Sequence, residues 1–164
     1  MYVLLTGVIN IKALEEKILR EGKILPGNVL KVGSFLNQQI DTKMLEEIGR
    51  EIARLYDGNG VTKILTIEAS GIAIAVAAAF FIGVPVVFAK KNKTKNVSGD
   101  VLCAEVESFT HGVVNNIVVA KEYIKPDDTI LIVDDFLAYG NALVGLMELV
   151  EKAGARLAGC AIAI

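Results

Sequence analysis

An apolar run, Ile130, Leu131, Ile132 and Val133, ends in two adjacent carboxylates, Asp134 and Asp135, and passes into a loop of mostly small residues. A β-branched-rich run without polar alternation is the pattern of a strand buried on both faces, as in a parallel sheet covered by helices. Two carboxylates cannot lie unpaired inside such a strand. They belong at its carboxyl end, where an open α/β sheet forms its binding crevice. After them, Ala138, Tyr139, Gly140, Asn141 and Ala142 form a compact loop whose backbone N–H groups can approach a ligand closely. Residues 141–153 carry Leu143, Leu146, Met147 and Val150 at helical spacing and stop at Gly154, so the amino end of this helix faces the same crevice. Unsatisfied amides and the positive end of the helix dipole suit a phosphate there, and the acid pair suits sugar hydroxyls or a divalent cation beside it.

Rival readings of this stretch lack a required part. A receiver-type phosphorylation domain carries a similar acid pair at the end of its first strand, but here most of the 164 residues precede the pair. A P-loop requires Gly-Lys followed by Ser or Thr, and a dinucleotide site requires Gly-x-Gly-x-x-Gly; neither follows this strand. Standing alone, an acid pair at a strand end is as readily a turn cap or a partner for surface lysines.

With 164 residues, 53% of them hydrophobic and 22% charged, the chain is expected to form one domain (residues 1–164) with a single substantial core. A net charge of -2 and a pI near 5.5 give no nucleic-acid footprint, so phosphate recognition is local. Cys103 and Cys160 have no zinc or redox spacing and read as reduced, mostly buried thiols; the lone His111 has no companion that would make it a metal ligand. Residues 69–89 form a long uncharged stretch, but Gly83 and Pro85 divide it into an alanine-rich helix (72–82) and a strand (84–89). No membrane span is therefore expected. The apolar residues 2–9 have neither a basic region before them nor a cleavage pattern after them, and the chain reads as cytoplasmic.

Elsewhere, residues 11–21 and 41–56 have helical spacing, the second capped by Asp41, and residues 61–67 read as a strand. With the helix at 72–82 and the strand at 84–89 this makes a βαβ unit. Residues 100–108 and 116–123 read as an antiparallel excursion around Thr110, His111 and Gly112, placed to close over the site. Residues 156–164 form a last strand. The expected architecture is an open α/β sheet, mostly parallel and flanked by helices, with an inserted β-hairpin.

Glu68, Ala69, Ser70 and Gly71 occupy in the βαβ unit the place that the acid-pair loop occupies later; on their own they are an ordinary tight turn or a second anion site. Lys90 and Lys91 leave the following strand near the same crevice, at the head of a lysine-rich run that otherwise reads as a solvated loop.

Together, the strand, acid pair and small-residue loop resemble the phosphoribosyl-pyrophosphate (PRPP) signature of type I phosphoribosyltransferases. The segment from Leu30 to Asp41 resembles the amino-terminal part of bacterial xanthine phosphoribosyltransferases. The match continues through residues 67–73, 83–91, 108–110 and 134–138. The resemblance implies a type I phosphoribosyltransferase fold, a homodimer, and transfer of a 5-phosphoribosyl group from PRPP to xanthine, forming xanthosine 5'-monophosphate and pyrophosphate in purine salvage. It implies ribose binding by Asp134 and Asp135 and 5'-phosphate binding by Ala138, Tyr139, Gly140, Asn141 and Ala142. It further implies pyrophosphate binding by Glu68, Ala69, Ser70 and Gly71 with Lys90 or Lys91, a purine pocket that includes Leu30 and Asn37, and Mg2+ arriving bound to PRPP rather than in a protein metal cage.

The family continues past the last strand with a purine-contacting lysine and further elements, so a carboxyl-terminal part is expected to be missing after Ile164. A non-catalytic PRPP-sensing domain, or an enzyme for guanine, hypoxanthine or adenine, are the alternatives. A sensor of the repressor type would need a DNA-binding module and a basic surface, and neither is visible.

Overall fold

The computed structural model describes residues 11–27, 29–91, 100–108 and 113–164. The apolar residues 2–9, Lys93 and Lys95 of the lysine run, and the turn at Thr110, His111 and Gly112 lie outside the described residues. In chain order the elements are α1 (Lys12–Glu21), β1 (Lys23–Leu25), β2 (Val29–Lys31), a π-helical turn (Gly33–Asn37), α2 (Thr42–Leu55), β3 (Lys63–Ile67) and α3 (Gly71–Ile82). They continue with β4 (Val86–Lys91), β5 (Val101–Ser108), β6 (Val113–Ala120), a 3-10 turn (Lys121–Tyr123), β7 (Thr129–Asp134), α4 (Asn141–Lys152) and β8 (Arg156–Ile162).

Six strands form one sheet in the order β5-β6-β4-β3-β7-β8. β4, β3, β7 and β8 run parallel, and the β5–β6 hairpin adds antiparallel to β4. Every residue of β7 is buried, as its unbroken apolar run requires of a central parallel strand. Its alternate residues serve two cores: Leu131 and Val133 pack with Ile48, Ile52 and Ile74 of α2 and α3, whereas Ile130 and Ile132 pack with Leu146 and Leu149 of α4. α2 presses closely on α3 because position 49 is glycine; a Cβ there would lie 2.6 Å from the carbonyl carbon of Ala77. Asp41 caps α2 by accepting from the Lys43 and Met44 amides at 3.1 and 3.2 Å.

Three differences from expectation have physical causes. β4 begins and ends two residues later than its apolar run, because β6 pairs with Lys90 and Lys91 and draws both lysines into the strand. β6 starts at Val113, before the anticipated residue 116, and gives way to the 3-10 turn at Lys121. The short β1–β2 hairpin has no alternating pattern to announce it; its residues are mostly exposed. Of the cysteines, Cys160 is buried, with its thiol pushed up to about 11 by that burial, while Cys103 is only half-buried; both are free. Among the described residues, no helix is long and apolar enough to cross a membrane.

The amino-terminal edge of the parallel strands is closed by a polar clasp. Lys63 Nζ donates to Asp128 Oδ2 at 2.7 Å and to the Tyr123 carbonyl at 2.8 Å, and Thr62 Oγ1 donates to Asp128 Oδ1 at 3.0 Å. Burial pushes the Asp128 carboxyl upward, but these bonds and the Lys125 amide outweigh it and hold the group below the usual carboxylate range.

Candidate active site

The opposite edge holds the acid pair. Asp134 is the last residue of β7 and Asp135 follows it, only 6% and 7% exposed. The turn is fixed from two sides. The Asp135 amide donates to Asp134 Oδ1 at 2.9 Å, and the amides of Ala163 and Ile164 donate to the carbonyls of Asp134 and Asp135 at 3.2 and 3.0 Å. The Leu137 amide donates back to the Ile164 carbonyl at 2.8 Å. Burial raises the Asp134 carboxyl to about 7; the negative charge of Asp135 adds to the effect, and the Asp135 amide and Lys91 oppose it.

A pH dependence follows, with its sign. Native Asp134 holds a proton between the ordinary carboxylate range and about pH 7, where the unfolded chain does not, so its contribution to native stability falls as pH rises through that window. Affinity for a hydroxyl-bearing or cationic ligand that needs the carboxylate should rise over the same window. Titration calorimetry with PRPP, the ligand that the sequence resemblance implies, from pH 5 to 8 should show this acid limb, and Asp134→Asn should remove it. An acid limb that survives the substitution would assign it to another group.

Two helices begin beside the acids, and neither carries a side-chain cap or an acid in its first turn. α2, by contrast, is capped by Asp41. Uncapped amides at a dipole's positive end suit an anion. At the start of α4, Ala138 and Gly140 both take positive φ, 46° and 79°, and the Gly140 amide closes the turn by donating to the Leu137 carbonyl at 2.7 Å. At the start of α3, the turn from Glu68 to Gly71 contains a cis Glu68–Ala69 peptide. Gly71 leaves no room for a side chain: a Cβ there would lie 2.6 Å from Asp134 Oδ1 and would collide with the Thr66 hydroxyl. That hydroxyl is fully buried and lacks a hydrogen-bond partner.

Between these features is a pocket of about 320 Å3. The acid pair, Glu68, Ser70, Lys91, Ala138, Tyr139, Asn141 and Ala142 line it. Ala69, Gly71 and Gly140 belong to the same turns without walling the pocket. Lys90 and Lys91 point to opposite faces of β4, and of the two only Lys91 reaches it. Asn37, at the end of the π-helical turn, donates from Nδ2 to Asp135 Oδ2 at 3.4 Å and so joins the base-recognition segment to the acid pair. Leu30 stands apart, packed against the α1–α2 side of the core. The hairpin adds Val106, Asn115 and Ile117, which the sequence reading did not single out. Val106 and Asn115 are register partners across β5 and β6, and only the strand register shows that they share the pocket face. Among the described residues no group of three or more acidic, histidine or cysteine side chains gathers into a metal cage.

A family model described as the phosphoribosyl transferase domain matches residues 36–164. The chain is 50% identical over 151 residues to a xanthine phosphoribosyltransferase of Lachnoclostridium phytofermentans, covering 92% of this chain and 78% of that protein. It is 52% identical over 153 residues to a xanthine phosphoribosyltransferase of Bacillus cytotoxicus, covering 93% and 78%. Among solved structures, its fold is similar to an adenine phosphoribosyl transferase from Trypanosoma brucei in complex with AMP, pyrophosphate and ribose-5-phosphate. That likeness has a TM-score of 0.75 at 19% identity and covers 97% of this chain and 69% of that one. The adenine phosphoribosyltransferase from Thermoanaerobacter pseudethanolicus gives 0.73 at 22% identity, covering 91% and 86%. Likenesses at that identity speak for the fold, and the family match together with the half-identical relatives speaks for descent: the chain belongs to the type I phosphoribosyltransferase family.

Proposed function

We propose that the protein transfers the 5-phosphoribosyl group of PRPP to xanthine, releasing pyrophosphate and forming xanthosine 5'-monophosphate. The observation that carries this reading is a buried acid pair set between two uncapped helix starts, in a chain half identical to proteins named for that activity. In the reaction a ring nitrogen of the base bonds to the ribose C1 as the bond from C1 to the pyrophosphate oxygen breaks; the base loses a proton. Positive charge grows on the ribose ring in between, so catalysis rests on positioning and electrostatics.

Asp134 and Asp135 hold the ribose hydroxyls and offset that charge. The turn at residues 138–142 takes the 5'-phosphate, and the amides of residues 69–71 with Lys91 take the pyrophosphate. Asn37, through Asp135, places the purine next to the sugar. Val106 and Ile117 keep water from the reacting carbon. The acid pair also fits a divalent cation that arrives on PRPP, since hard carboxylate oxygens are what Mg2+ takes and a substrate-borne ion needs only one or two of them. Mg2+ bound there would neutralise pyrophosphate charge.

The homodimer belongs to the same proposal. α3 is apolar on all sides, yet Val76 is partly exposed and Phe80 is 82% exposed beside a shallow groove that includes Val84 and Val86. A helix apolar all round is one that is covered all round, and a second copy placing the same face here would cover it symmetrically. Light scattering should give a dimer mass, reduced by half in Phe80→Asp; a wild-type monomer at assay concentration would remove the dimer.

The functional test is incubation with PRPP, Mg2+ and each purine in turn, with nucleotide formation followed by chromatography. Xanthine should give the dominant product. No nucleotide from any base would end the enzyme reading, and PRPP binding in that case would favour a sensor.

A further inference from the structure

Glu68 is an unexpected residue for a pocket that receives a pyrophosphate, because its carboxylate would repel the ligand. Its position resolves the conflict. The Glu68 amide donates to the Ala89 carbonyl at 3.0 Å, continuing the β3–β4 ladder. β3 itself ends at Ile67 and the chain turns from Glu68 into α3, so no β3 carbonyl remains for the next rung. Glu68 supplies it with its side chain: Oε1 accepts the Lys91 backbone N–H at 2.7 Å. Lys91 is the last residue of β4, its side chain faces the pocket, and its charge is felt at Asp134. A charged acceptor on the terminal amide of a strand is among the stronger hydrogen bonds available to it.

We propose that Glu68 is a positioning residue: by bonding the Lys91 amide it extends the sheet by one rung and aims the Lys91 ammonium at the pyrophosphate, without touching the ligand itself. This rests on the proposed function and gives the pyrophosphate side of that site its built-in support. Lysine side chains are costly to order, so a fixed backbone beneath Lys91 lowers what the ligand must supply on binding.

The proposal separates the carboxylate's acceptor oxygen from its charge. Glu68→Ala should raise KM for PRPP and Kd for inorganic pyrophosphate by about tenfold or more, with a smaller change in kcat. Glu68→Gln keeps the acceptor oxygen and should recover to within about threefold of wild type. Glu68→Ala combined with Lys91→Met should be little worse than Lys91→Met alone, since both remove one device. Amide exchange at Lys91 should speed up in Glu68→Ala and not in Glu68→Gln.

Equal damage from Ala and Gln would overturn the proposal by making the charge, and hence a ligand or cation contact, the operative feature. An unchanged KM and Kd in a Glu68→Ala protein of lowered thermal stability would overturn it by leaving a purely structural role. A wild-type protein that binds pyrophosphate but turns over no purine would overturn the proposed function alone, because pyrophosphate affinity and Lys91 exchange still decide this inference. One that binds no pyrophosphate would overturn both.

Discussion

Replacing Asp134 and Asp135 together by asparagine should lower kcat/KM for PRPP by roughly a hundred- to ten-thousandfold, since two hydrogen bonds to charged groups are worth about 3–6 kcal/mol together. The same protein should unfold at a higher denaturant concentration than wild type. Asp134 is buried, and its carboxyl is pushed up to about 7, so at neutral pH part of its ionised population is held against the cost of desolvation. Asparagine keeps the shape and most of the hydrogen bonds and carries no charge. Opposite movements of activity and stability are the signature of a site whose charge serves a ligand rather than the fold. Steady-state kinetics and urea denaturation on one preparation check both. Unchanged kinetics would remove the acid pair from the mechanism, and lost stability would make the pair structural.

Gly71→Ala is expected to have the next largest effect, at a position that looks replaceable on backbone grounds. Gly71 opens α3 without a positive φ, so alanine would ordinarily favour the helix by about 1 kcal/mol. The new methyl, however, would stand 2.6 Å from Asp134 Oδ1 and against the Thr66 hydroxyl, both buried, with Asp134 lining the pocket. Overpacking of this kind costs about 1–3 kcal/mol and exceeds the propensity gain. The relief available is to move Asp134, and on its proposed role of holding the ribose turnover should fall by about a hundredfold when that carboxylate is displaced by an ångström. Thr66→Ala added to Gly71→Ala opens space by removing a hydroxyl that has no partner. Stability should return in the double variant while turnover stays low. Full turnover in the single variant would show that the floor yields without disturbing the acid.

The residues that sequence pattern places well are those whose neighbours in space are also neighbours in the chain. The strand, the acid pair and the loop at 138–142 are one continuous stretch, and periodicity with small-residue content conveys all of it. The same holds for the turn at 68–71. What escaped depends on pairing between distant segments. Choosing Lys91 over Lys90 requires knowing that β6 lengthens β4 and which face each residue then takes. Asn115 and Val106 become pocket residues only through hairpin register. Asn37 meets Asp135 across 98 positions of chain, and nothing local in either segment encodes that contact. The small residues at 68–71 suggest a tight turn or an anion site, whereas the room that Gly71 leaves for Asp134 and Thr66 appears only when β3 and β7 stand side by side.

β7 enters the sheet just after one carboxylate and leaves it on another, and the two are biased in opposite directions. Asp128, held by Lys63 and Thr62, keeps its charge into acid, and its contribution to stability is lost only as pH falls below the ordinary carboxylate range. Asp134 gives up its charge near neutrality, and the fold gains as it does. Mild acidification therefore neutralises Asp134 before it loosens the clasp at the other end of the strand. If Asp134 holds the ribose as proposed, a protein brought below neutrality would keep its fold and its clasp while losing affinity for PRPP, and neutralisation would restore that affinity without refolding.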